Sequence, residues 1–173
     1  MKYVDRIMVN EEAFHLILAA FIGFFGALVN LGFLKLVALI HWIIFQTADS
    51  ALDSALLVQN MDPFFRIVVP TLGGILAGMV LLLKSHLSGK QKPTNVLEVV
   101  AVGDGRIGMR STLVNSWSSL LSIGTGASIG REGAITQLTA TFASKWGQFH
   151  QWQPYRLRLM VTCGAAAGLA AAY

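Results

Sequence analysis

The chain of 173 residues is 54% hydrophobic and 13% charged, with a mean hydropathy of +0.61. Such a composition describes a membrane protein and excludes an ordinary soluble domain or a disordered chain. The net charge of +4 comes from basic residues scattered at the ends of apolar runs. That is the pattern of positively charged membrane flanks, and it argues against a nucleic-acid partner.

Residues 13–45 carry one lysine, Lys35, and two histidines, His15 and His41. As a helix this run is about 50 Å long. It exceeds the ~30 Å hydrocarbon core, so a strong tilt is expected. It is longer than a signal peptide's apolar region and follows Glu11-Glu12 rather than a basic stretch, so it is expected to stay in the mature chain. A second apolar run, 64–83, follows Asp62-Pro63, carries Pro70 and Gly73-Gly74, and is long enough to span once. The connection 46–62 holds three aspartates and no Lys or Arg, whereas 84–93 holds Lys84, Lys90 and Lys92. The positive-inside rule therefore predicts a cytoplasmic N-terminus and a cytoplasmic 84–93 connection.

Beyond this point the pattern is less regular. Residues 95–102 form an apolar piece too short to span, ending at Gly103-Asp104-Gly105. Residues 109–123 read as a helix with Ser111, Asn115, Ser118, Ser119 and Ser122 in one stripe. Facing lipid would leave these groups unpaired, so they are expected to join helices or to line a polar cavity. A glycine-rich break at 124–130 precedes a helix over 131–145, an interfacial connection at 146–153 and a last helix over 155–173. Trp42, Trp117, Trp146, Trp152 and Tyr155 sit near predicted ends and read as interface anchors. The spacings Gly74-x-x-x-Gly78 and Gly164-x-x-x-Gly168 favour close helix packing. With no short repeat or low-complexity linker, 1–173 reads as a single domain. The lone Cys163 has no intrachain partner.

The chemistry concentrates at Gly124-Thr-Gly-Ala-Ser-Ile-Gly130-Arg131-Glu132-Gly133-Ala134. Irregular backbone at membrane depth is tolerated only where it is buried in protein or lines an aqueous path. A helix starting near Arg131 leaves its first amides without partners and places positive potential there, which attracts anions. Gly130 and Gly133 leave room for close approach, and Gly124 and Gly126 are expected to permit the backbone angles of a re-entrant turn. The Glu132 carboxylate can itself occupy such an anion site and leave it on protonation. In a soluble helix Glu132 would be an ordinary first-turn acid paired with Arg131. At membrane depth a carboxylate is expensive and points to function. Arg131, adjacent on the helix, is expected to point elsewhere and to pair or snorkel.

Other chemistries find no support. Gly124-x-Gly126-x-x-x-Gly130 only loosely matches a dinucleotide turn and follows no strand, and a phosphate loop would need Gly-Lys-Ser/Thr where Gly130 is followed by Arg131-Glu132. His15, His41, His86 and His150 are too dispersed for a metal site. No cofactor and no enzyme chemistry are expected.

Gly130-Arg131-Glu132-Gly133 together with Cys163-Gly-Ala-Ala-Ala-Gly-Leu-Ala-Ala-Ala172 resembles the CLC family of chloride channels and chloride/proton exchangers, bacterial members in particular. The resemblance implies an all-α membrane protein of tilted transmembrane and broken re-entrant helices in an inverted-repeat domain. It further implies a homodimer in the bacterial inner membrane, with chloride and protons as partners besides the lipid bilayer. Glu132 would be the gate, with Gly130, Arg131, Gly133, Ala134 and Ile135 around the anion. The sequence departs from the family pattern at two places. The stretch Lys92-Pro93-Thr94-Asn95 stands where the family carries a serine that contacts the central anion, leaving Thr94 as the candidate hydroxyl, and Ala134 replaces the usual proline. The resemblance covers somewhat less than the first half of such a domain. The alternatives are a broken-helix transporter of another anion and a fragment that does not conduct alone.

Overall fold

A computed structural model describes residues 2–45, 62–87, 95–127 and 129–173. The connections at 46–61 and 88–94, which carry most of the topology argument, lie outside the described residues. All regular structure among those described is helical: α1 (Lys2–Phe45), α2 (Pro63–Leu87), α3 (Val96–Ala101), α4 (Met109–Gly124), α5 (Glu132–Phe149) and α6 (Pro154–Ala172).

Helix α1 starts earlier than the apolar pattern predicts. No glycine or proline interrupts residues 2–13, so the helix extends past the apolar run to 44 residues, about 66 Å. Helix α2 opens on Pro63, where a missing N–H costs nothing, and the Asp62 carbonyl accepts from Phe65 and Arg66. Pro70 lies inside α2, and the next residue, Thr71, turns its hydroxyl onto the Ile67 carbonyl at 2.6 Å.

Among the described residues two stretches are long and apolar enough to cross a membrane, His15–Ile44 and Pro63–Lys84. In the second only 11% of the most apolar window is buried, with Ile67 and Leu82 each 72% exposed. A core helix of a soluble protein would bury that surface, whereas lipid solvates it.

Helices α5 and α6 form the centre, with α1 and α4 against them; α2 packs on α4, and α3 on α6. The α5–α6 seam is close because Gly164 and Gly168 face it. A Cβ at Gly164 would stand 2.9 Å from the Thr139 carbonyl oxygen, and one at Gly168 2.8 Å from Thr136 Cα. That bears out the packing expected of this glycine pair. The other pair behaves differently: a Cβ at Gly74 or Gly78 would meet no atom of the described residues within 4 Å, and it is Gly73 that receives the Thr125 side chain. The i, i+4 spacing is the same in both helices, but among the described residues only the α6 pair faces a neighbour.

Helix α5 runs to Phe149 rather than stopping near Lys145. The Gln148 side chain donates to Ser144 Oγ at 2.9 Å, within the last turns. The helix then ends in a Schellman motif: Trp152 N–H donates to the Gly147 carbonyl and Gln151 N–H to that of Gln148. Gln151 takes the left-handed position at φ 53° that glycine usually fills. The expected interfacial connection therefore shrinks to a tight turn. Trp42, Trp117 and Tyr155 are exposed as interface anchors would be. Trp146 and Trp152 instead pack on the buried cluster of Ile22, Ala143 and Met160.

Candidate functional site

The break after α4 is a second Schellman motif. Ala127 N–H donates to the Ser122 carbonyl and Gly126 N–H to that of Ile123, with Gly126 at φ 96°. Glycine is favoured at this position because a Cβ is unfavourable there, more so at this φ than at the 53° of Gln151. Gly124 has another reason to be small. It is the last residue of α4, and a Cβ on it would stand 2.5 Å from Ile40 Cγ2 of α1.

Helix α5 begins at Glu132, with Arg131 in the N-cap position making no side-chain cap of its own. The Ile135 amide is the first to enter the helical ladder, donating to the Arg131 carbonyl at 3.1 Å. The amides of Gly133 and Ala134 have no backbone acceptor among the described residues. Unpaired amides and the helix dipole together make this end electropositive. The Glu132 carboxylate folds back over Gly130, so closely that any Cβ on Gly130 would collide with Oε2.

This helix end opens on a cavity of about 740 Å³. Gly130, Glu132, Gly133 and Ala134 line it from the start of α5, with Thr136 and Gln137 one turn further in. Asn115, Ser118 and Ser119 line it from α4, and Asn95 and Val96 from the start of α3. Asn95 caps α3 with its side chain, which accepts from Leu97 N–H at 3.1 Å. Among the described residues that line it, Glu132 is the sole ionisable side chain.

The polar stripe of α4 thus divides between the two uses open to it. Ser118 donates to the Ala77 carbonyl at 3.1 Å and joins α4 to α2, while Asn115 and Ser119 also face the cavity. Arg131 does not line the cavity. Its guanidinium donates to the Ala172 carbonyl at 3.4 Å, and Asn30 of α1 donates to the neighbouring Ala171 carbonyl. Ile135 is fully buried in the cluster with Phe33, Leu120 and Ala172, so it supports the site from behind. Thr94 lies outside the described residues. The contribution of Asn95 was missed by sequence reasoning, although Asn before an apolar run is an N-cap signal.

The sequence profile of the voltage gated chloride channels matches residues 72–173, so the site lies within the matched segment. The chain belongs to that family. It is 35% identical over 160 residues to the voltage-gated ClC-type chloride channel ClcB of Yersinia pseudotuberculosis serotype O:1b, covering 91% of this chain and 38% of that protein. It is 36% identical over 164 residues to ClcB of Escherichia coli K12, covering 92% of this chain and 38% of that protein. The chain therefore spans under two-fifths of the length of these relatives. No solved structure matches it.

Proposed function

We propose that this chain forms part of the pathway of a chloride transporter, with Glu132 as its gate. The observation that carries this reading is the Glu132 carboxylate folded over Gly130, before the open amides of its own helix, in a cavity whose other described lining residues are uncharged. A carboxylate in that place acts as a resident anion. A mobile anion gains the same amides and dipole when the carboxylate is protonated or displaced. Gly130, Gly133 and Ala134 leave the space for it. The names of the relatives supply chloride as the anion. Passive conduction or exchange for protons, a homodimer and a bacterial inner-membrane location with a cytoplasmic N-terminus complete the proposal.

Efflux from liposomes tests the substrate. Chloride is expected to leave protein-bearing vesicles far faster than acetate, lactate or succinate. A preference for the carboxylates would replace this reading with that of an organic-anion transporter, since helix N-termini serve carboxylates equally well.

Gly130→Ala tests the position of the gate. The new methyl group occupies the space that Oε2 holds, and Gly130 needs no left-handed backbone. The carboxylate should be expelled, and chloride efflux at neutral pH should rise toward its value in acid. An unchanged pH response in this variant would show that the carboxylate does not rest there.

A further inference from the structure

We propose that Lys84 and Asn115 form a charge-backed donor pair that draws small anions into the cavity and turns cations away. This rests on the anion-pathway reading and adds to it a second determinant away from Glu132.

Lys84 closes the apolar span Pro63–Lys84. A lysine at a span end ordinarily snorkels to the membrane surface. Here the half-buried side chain turns to the neighbouring helix instead, and its ammonium donates to Asn115 Oδ1 at 2.8 Å. Among the described residues it makes no salt bridge. A partly desolvated cation whose partner is a neutral amide keeps its full charge for the space beside it, where water screens it weakly.

The contact also orients the amide. An ammonium has three donors and no acceptor, so the oxygen of Asn115 must face Lys84 and its NH2 group must face away. Asn115 lines the cavity, and its Nδ2 has no acceptor among the described residues. Ser118 beside it has spent its proton on the Ala77 carbonyl and offers the cavity only lone pairs, which repel an anion. Asn115 is therefore the charge-polarised donor on this wall of α4, with the hydroxyl of Ser119 beside it as a neutral one. A small inorganic anion accepts from such an amide and gains the lysine charge behind it; a cation is repelled by both.

Chloride binding to the detergent-solubilised protein, read from chlorine quadrupolar NMR line broadening with circular dichroism as the fold control, tests the pair. Lys84→Gln is expected to weaken binding about tenfold, the effect of removing one charge at close but partly solvated range. Lys84→Arg should retain it. Asn115→Asp should abolish it, because the new carboxylate neutralises Lys84 and brings no donor. Glu132→Gln should strengthen binding by removing the resident carboxylate. Wild-type binding by Lys84→Gln, with Glu132→Gln still altered, would overturn the pair and leave the anion pathway standing. Equal loss in Lys84→Arg and Lys84→Gln with helicity intact would overturn charge as the cause. Absence of chloride binding in the unmodified protein would sink both readings.

Discussion

Glu132→Gln is expected to give a chloride flux that no longer responds to external pH. Glutamine has the size and the neutral hydrogen-bonding shape of a protonated carboxyl group, so the variant holds one state of the gate at every pH. The side chain can still reach back over Gly130, but it brings no charge to compete for the amides of Gly133 and Ala134. In the unmodified protein flux should rise as pH falls, because protonation removes the resident negative charge. Proteoliposome efflux over a series of external pH values measures both profiles, and wild-type pH dependence in Glu132→Gln would remove Glu132 from the role. Arg131→Gln separates the two adjacent charges. Arg131 reaches the end of α6 and not the cavity, so its loss should lower stability while leaving the shape of the pH profile intact.

What the sequence made legible is the local chemistry. Gly126 ends α4 with a positive φ, Glu132 opens α5, and Gly164 and Gly168 face a close neighbour; each follows from a residue type and its immediate context. What stayed hidden depends on which helix lies opposite. Gly74 and Gly78 repeat the spacing of the α6 pair but meet none of the described residues, and no pattern within α2 distinguishes them from Gly73. Lys84 reads as a flank of an apolar run until the fold brings Asn115 beside it. Arg131 and Glu132 are neighbours in sequence, yet one reaches the end of α6 and the other faces the cavity, because successive helical positions diverge by about 100°.

The seam between α5 and α6 should be the least forgiving place in the molecule. At Gly168 a Cβ would lie 2.8 Å from Thr136 Cα and 3.2 Å from the Ile135 carbonyl oxygen, and both obstacles are backbone. The third obstacle, the Thr139 hydroxyl, is tied to the carbonyls of Ile135 and Thr136 at 3.0 Å each and cannot swing aside without losing those bonds. Gly168→Leu must therefore push α6 off α5, exposing the tightly packed Ile135 and Val161 and moving the end of α6 that Arg131 and Asn30 hold. Overpacking against rigid backbone costs about 3 kcal/mol or more. The start of α5 shifts with it, so chloride flux should be lost as well. Gly74→Leu and Gly78→Leu make the same chemical change where no atom of the described residues stands in the way, and they should match the parent or exceed its stability by up to about 1 kcal/mol through helix propensity. Thermal melting in detergent, followed by circular dichroism, compares the three. Equal melting of Gly168→Leu and Gly74→Leu would mean that α6 does not press its glycine face on α5, and the electropositive end of α5 would then lack the support assigned to it here.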